Sequence, residues 1–191
     1  MSNMNTFSGK IFDPMQIKPE NICTEDIAHA LSLVCRGGGH VKYFYSVGQH
    51  SLNCMNEAKA RGLSERVQLA CLLHDASEAY ISDIIRPVKP YLSNYLEIES
   101  MIMDCIWEKY GLGDLTDEEQ KYWKEIDDDM LAYELNHLIR GESGKSLPDL
   151  HSMPDISEKH WKMVEDAFTD AIKKYESGMV VIEENQIENT V

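Results

Sequence analysis

The chain has 191 residues, of which 43% are hydrophobic and 27% charged, and its formal net charge is −15. These values suit one globular domain of ordinary core size and argue against a disordered chain or a membrane protein. The strong negative charge, without a basic patch, excludes polymeric DNA or RNA as a natural partner, while a metal ion and two or three local cations can still reverse the field inside one pocket.

No apolar stretch approaches the roughly 18–20 residues needed to span a bilayer. The start MSNMNTFSGK lacks the basic and apolar parts of a secretory signal, so a cytoplasmic protein without a membrane partner is expected. The cysteines at 23, 35, 54, 71 and 105 are odd in number and form no C-x-x-C pair, so they read as reduced thiols. Cys71, inside the run LACLL, is a small core residue on this reading.

At the N-terminus TFSGKIF alternates polar and apolar residues around a Ser-Gly turn, which permits a short β-hairpin. Everything after it reads as helix. The first helix is expected from Thr24, taken as its N-cap, with Glu25 and Asp26 in the first turn, through Ile27, Leu31 and Val34 until Gly37-Gly38-Gly39. A second starts after Ser46, carries Val47, His50, Cys54 and Ala58 at helical spacing, and ends at Arg61-Gly62. The third starts at Ser64 and is apolar on nearly all sides until it reaches His74-Asp75, which makes it a buried helix with a polar end.

Beyond the loop 84–90, helical periodicity covers 91–110, and Gly111 and Gly113 break it. A further helix runs from about Thr116 past Asp127-Asp128-Asp129 to Ile139, and 141–155 reads as a surface loop. The last helix is expected over Ser157–Tyr175. The fold expected is an all-α bundle of about six or more helices forming one domain over 1–176, with an acidic tail, 177–191, open to disorder.

A first-row divalent cation needs nitrogen and carboxylate ligands gathered from separate helices, with positions left for water and substrate. His50, the pair His74-Asp75, and one aspartate of the 127–129 run offer such a set. Each part is weak alone: a single helical histidine is more often a hydrogen-bonded core residue, and three consecutive carboxylates are by default a solvated face. The apolar run ending in His-Asp raises the odds, because ionisable groups there are costly unless paired or metal-bound.

The order His50, then His74-Asp75, then an aspartate on a later helix resembles the H…HD…D signature of HD-superfamily metal phosphohydrolases. Locally, HDASEAYISD followed by RPVK is similar to the HDASE…GD…PTPVK stretch of bacterial HD-type 5′-nucleotidases that act on deoxynucleoside monophosphates. The segment EDIAHALSLVCRGGGHVKYFYSVGQHS resembles a further group of bacterial and phage HD hydrolases, and phage HD-type dATP triphosphohydrolases look related. The resemblance covers roughly residues 6–140.

It implies one divalent transition metal (Mn, Co, Fe, Ni or Zn, with Mg permitted) on His50, His74, Asp75 and Asp127. Asp127 matches the K-x-x-D pattern through Lys124-Glu125-Ile126-Asp127, and Asp128 is the alternative. Glu78 is placed to orient or deprotonate water, and Asp83 to protonate the leaving oxygen or position the water. Arg36 and Lys89 are implied phosphate contacts, with His40 and Lys42 at the pocket mouth. Read without the resemblance, Arg36 would complement a helix C-terminus and Lys89 would be a solvated loop lysine.

The implied substrate is a small phosphorylated molecule, foremost a (deoxy)nucleoside 5′-monophosphate. A nucleoside triphosphate, another phosphorylated metabolite, and a non-catalytic nucleotide-binding module are the alternatives, and a homodimer is permitted. One departure matters: where the monophosphate-specific enzymes place tryptophan after the arginine, this chain has Gly37, so sugar and base recognition is not inherited.

Overall fold

The computed structural model describes residues 3–141 and 146–188, the stretch 178–188 by its backbone alone. It is an all-α bundle preceded by a two-stranded hairpin, β1 Met4–Asn5 and β2 Ile11–Phe12, paired antiparallel with Met4 opposite Phe12. Gly9, at φ +84°, closes the turn that the Ser-Gly pair signals. The helices are α1 Thr24–Leu33, α2 Val47–Ala60, α3 Glu65–Leu73, the single turn α4 Glu78–Ile81, α5 Ser93–Lys109, α6 Asp117–Leu138 and α7 Trp161–Glu188. No helix among the described residues is long and apolar enough to cross a membrane.

Local chemistry explains most of the boundaries. The Ser46 hydroxyl accepts from Gln49 N at the start of α2, and the Ser64 hydroxyl accepts from Val67 N at the start of α3. Thr116 and Glu119 form a reciprocal capping box on α6. At the end of α2, Gly62 takes φ +73° and Leu63 N–H reaches back to the Ala58 carbonyl, as in a Schellman motif.

Two helices depart from the sequence reading at their ends. Thr24 is not the N-cap of α1: Cys23 holds that position without a side-chain bond, and the Thr24 hydroxyl instead pairs with Tyr110 Oη at 2.8 Å. The last helix starts four residues later than expected, at Trp161, and runs on through Glu188 instead of ending near Tyr175. Apart from Gly178 nothing in that stretch disfavours a helix, so acidity alone was a poor stop signal. Of the expected tail, residues 189–191 lie outside the described residues.

The core has two parts. Leu31 of α1, Val47 of α2, Leu72 and Leu73 of α3, and Phe168 and Ile172 of α7 belong to the larger one. Cys54 and Ala58 of α2, Val67 and Cys71 of α3, and Ile126 and Met130 of α6 form the smaller. Helix α2 therefore lies in the middle, against α1, α3, α6 and α7.

A third face of α2 is polar, and Gln49, Asn53 and Glu57 follow one another there every four residues. Gln49 Nε2 donates to the Asp155 and Ser157 carbonyls, and Asn53 exchanges two hydrogen bonds with the Asp155 backbone. Glu57 accepts from the amides of His151 and Ser152. The 151–157 segment is thereby tied along α2, although its sequence shows only a loop.

Candidate metal centre and its cavity

Three helices converge where α2 carries His50, α3 ends, and α6 carries Asp127. The third helix stops at Leu73, leaving His74 as its C-cap and Asp75 in the following turn, where Ala76 N bonds Leu73 O and Glu78 N bonds Asp75 O. Unwinding there solves a geometric problem, since adjacent residues of a continuous helix diverge by about 100° and could not aim at one point. Glu78 is thus brought to the site by a turn, not by continuation of the α3 face.

Four donor atoms meet. His50 Nε2 lies 3.2 Å from His74 Nε2, 3.2 Å from Asp127 Oδ1 and 3.9 Å from Asp75 Oδ2. His74 Nε2 lies 3.4 Å from Asp75 Oδ2 and 3.5 Å from Asp127 Oδ1. Donors held about 2.0–2.2 Å from a shared cation are separated by about 3.0–3.6 Å, so four of these spacings fit a metal and the His50–Asp75 edge, at 3.9 Å, is slightly long. His50, Cys54 and His74 also form a buried group whose donor atoms all lie within 4.8 Å of one another and which could hold a metal ion.

Both imidazoles are oriented from behind. His50 Nδ1 is 2.7 Å from Glu134 Oε1, and His74 Nδ1 is 2.8 Å from the Cys71 carbonyl. Each acceptor fixes the proton on Nδ1 and turns the Nε2 lone pair toward the other donors, as outer partners of metal-bound histidines do. Glu134 is only 3% exposed and also accepts from the Tyr45 hydroxyl at 2.7 Å.

The centre draws positive charge. Burial opposes protonation of His74, but Asp75 and Asp127 outweigh it and lift its pKa well above the ordinary value. Burial likewise opposes ionisation of Asp75 and Asp127, yet their pKa values are held far below the carboxylate range, by His74 with Arg36 and by the two histidines respectively. A divalent cation would satisfy the same field and displace the protons. Glu78 behaves oppositely: burial, Asp75 and Asp83 push its carboxyl up to about 9. Its Oε2 is buried with no hydrogen-bond partner among the described residues, an orphaned polar atom beside the donor quartet.

The quartet opens on a cavity of about 510 Å³. Its lining combines the charged Arg36, Glu78, Asp83 and Lys89 with the aliphatic Leu131, Leu135, Leu138, Ile139, Ile84 and Ile85. Arg36 donates to Asp75 Oδ2 at 3.0 Å and to His50 Nε2 at 2.9 Å. Burial would lower its pKa, but Glu134, Asp75, Asp127 and Glu78 keep it charged. Lys89 Nζ pairs with Glu99 at 2.8 Å and approaches Glu78 at 3.5 Å.

Asp83 accepts from Gly37 N at 3.2 Å. That bond draws together two unusual backbone sites: Gly37 at φ +63°, inside a left-handed glycine turn, and Ser82 at φ +68°, the one non-glycine residue with positive φ among the described residues. Strain of this kind costs about 1–3 kcal/mol and gathers at functional sites. Position 37 thus holds a residue whose φ suits glycine.

Of the expected site residues, the structure brings together His50, His74, Asp75, Asp127, Glu78, Asp83, Arg36 and Lys89, with His40 on the cavity wall. Lys42 is the exception. Its amide donates to the Leu138 carbonyl at 2.8 Å and its ammonium to the His137 carbonyl, so it closes the C-terminal end of α6, where a cation complements the exposed carbonyls. The three aspartates diverge, with side-chain exposures of 17% for Asp127, 66% for Asp128 and 37% for Asp129, and the outer two pair with Arg86 and Arg61. Only Asp127 faces the histidines.

Sequence reasoning missed Glu134, Tyr45 and Arg86. Glu134 lies seven residues after Asp127, hence two turns along the same face among Met130 and Leu138, and a lone carboxylate on that apolar stripe was the available signal. Arg86 lines the cavity and donates to Asp127 Oδ2 at 2.7 Å, leaving Oδ1 for the histidines. Nothing local in RPVK separates Arg86 from a solvated loop arginine.

No family model matches the chain. It is 38% identical over 154 residues to the uncharacterized protein YfdR of Escherichia coli (strain K12), an alignment covering 81% of this chain and 82% of that protein. An uncharacterized protein of Rhodobacter capsulatus is 40% identical over 111 residues, which cover 55% of this chain and 56% of that one. The chain belongs to the family of YfdR.

Proposed function

We propose that the chain is an HD-superfamily phosphohydrolase that holds one divalent transition metal on His50, His74, Asp75 and Asp127 and removes phosphate from a (deoxy)nucleoside 5′-monophosphate. The observation that carries this reading is the convergence of those four donor atoms beside a cavity that Asp75 and Asp127 line together with Arg36 and Lys89. When bound, a divalent cation lowers the pKa of water from about 15.7 toward neutrality and polarises a phosphoryl oxygen. The chain's own residues do the rest.

Arg36 and Lys89 bind the phosphoryl oxygens and offset the charge that builds up on them, exchanging carboxylate partners for the substrate. Glu78, buried at the cavity wall with an unpartnered Oε2 beside the quartet, is placed to pass a proton between the attacking water and the leaving ester oxygen. Asp83, fixed by the Gly37 amide, orients the attacking water. The aliphatic wall of Leu131, Leu135, Leu138 and Ile139 receives the nucleoside and excludes bulk water. The cavity volume lies within the usual range of small-molecule sites.

Arg86 favours a second reading, triphosphate hydrolysis, because it adds a third cation to the cavity wall. Product analysis separates the two: orthophosphate from monophosphates supports the first, and tripolyphosphate or pyrophosphate from triphosphates the second. The decisive experiment assays nucleoside mono-, di- and triphosphates with Mn²⁺, Co²⁺, Mg²⁺ and Zn²⁺, comparing wild type with Asp75→Ala. Turnover that is lost together with metal in the variant supports the proposal. A wild type inert on the whole panel, or a variant retaining both metal and turnover, refutes it.

A further inference from the structure

Cys54 follows His50 by four residues on α2, so both side chains leave one face of the helix. Its Sγ is 3.5 Å from His50 Nε2, and the sulfur and the two Nε2 atoms all lie within 4.8 Å of one another. The residue is 1% exposed, packs among Ala58, Val67, Cys71, Ile126 and Met130, and is not among the residues that line the cavity. Asp75 and Asp127 line the cavity itself. The imidazole pair therefore has carboxylate neighbours that line the cavity and a thiol neighbour buried in the core.

The spacing suits coordination. In a tetrahedral centre with nitrogen at about 2.05 Å and sulfur at about 2.3 Å, the sulfur-to-nitrogen edge is about 3.5 Å. Both Nδ1 positions are already committed, to Glu134 and to the Cys71 carbonyl, so the Nε2 lone pairs are the ones beside the sulfur. Thiolate is a soft ligand that selects zinc-like ions, whereas carboxylate suits manganese and magnesium.

We infer that this centre has two overlapping donor sets, and that a thiophilic divalent ion such as zinc, cadmium or cobalt recruits Cys54 together with His50 and His74, while manganese or magnesium uses imidazole and carboxylate alone. On recruitment the Sγ–H bond breaks, the proton leaves to solvent, and sulfur bonds the metal. The inference rests on the reading of the centre as metal-binding, and it makes the donor set depend on which ion is loaded.

The test titrates the full-length, metal-stripped protein with Co²⁺ and records its spectrum. Visible d–d bands together with a near-ultraviolet thiolate-to-cobalt charge-transfer band are expected for wild type and for Cys71→Ser. Cys54→Ser should keep the d–d bands and lose the charge-transfer band, and Cys54→Ala provides the same comparison if the serine variant does not fold. Cadmium affinity should fall at least about tenfold in the Cys54 variant while manganese affinity changes less than about twofold. Wild-type d–d bands without charge transfer, or charge transfer surviving in the variant, overturn the inference and leave the metal-binding reading standing. Equal losses of cadmium and manganese affinity overturn it too, and cobalt that develops no bands at all removes both readings together.

Discussion

Replacing Glu134 probes the centre without touching any of its proposed metal ligands. Its Oε1 accepts from His50 Nδ1 and from the Tyr45 hydroxyl, both at 2.7 Å, and its Oε2 is 3.4 Å from Arg36 Nε. In Glu134→Gln the amide oxygen can keep the two short bonds, so the His50 tautomer survives. The charge is lost, however, and an NH₂ group then faces the Arg36 donor. Hydrogen bonds to charged groups contribute about 1.5–3 kcal/mol and neutral ones about 0.5–1.5 kcal/mol, so the change costs the centre about 1–1.5 kcal/mol, or about tenfold in metal affinity. Glu134→Ala also frees the tautomer and should cost closer to a hundredfold, the upper end for an outer hydrogen-bond partner of a metal-bound histidine. Calorimetric titration with Mn²⁺ measures both, with circular-dichroism melts confirming folded protein. Two folded variants that bind Mn²⁺ within about threefold of wild type would refute the orienting role of Glu134.

Two further predictions concern stability. Burial would raise the Glu57 carboxyl, but bonds from Ser152, His151 and Arg61 bring it down to about 2. A depressed carboxylate stabilises the fold above its unfolded pKa and loses that contribution as pH falls from about 4.5 through about 2; the full span is worth about 3 kcal/mol. Wild type should therefore exceed Glu57→Gln in urea denaturation at pH 7 and converge on it in acid, whereas a pH-independent difference would contradict the linkage. At Gly48, a Cβ would lie 3.1 Å from Val164 Cγ1 and 3.2 Å from the Leu31 carbonyl, where α1, α2 and α7 meet. Overpacking against backbone should outweigh the helical gain of alanine and lower Tm by about 2–4 °C in Gly48→Ala, a sign that a rise in Tm would reverse.

The helices were legible where side-chain chemistry is local. Ser46 and Ser64 cap α2 and α3, Gly62 ends α2, and the apolar stretch before His74 is a buried helix that delivers its polar end to the interior. His50 and His74-Asp75 could be singled out because motif and burial pattern agree there. Lys42 was misplaced because its position in sequence, shortly after the glycines, says nothing of the α6 carbonyls that it meets from 95 residues away. Tyr45 and Arg86 were missed for the same reason, since each acquires its role across a packed interface, whereas Glu134 carried one signal, its place as a lone carboxylate on the apolar stripe of α6.

The tie between α2 and the 151–157 segment bears on what counts as the smallest working unit. The residues of the H…HD…D pattern all lie before position 128, which invites a shortened version that ends after α6. Such a fragment would remove the bonds that Gln49, Asn53 and Glu57, at 3%, 5% and 0% exposure, make to the 151–157 segment, on the same helix that presents His50. Each lost hydrogen bond is worth about 0.5–1.5 kcal/mol, and the lost packing of Val164, Phe168 and Ile172 comes on top of that, against a total stability of about 5–15 kcal/mol for a typical domain. The last quarter of the chain is therefore a splint for the centre: it carries none of the proposed ligands, yet without it the helix that supplies the first one has no settled place to stand.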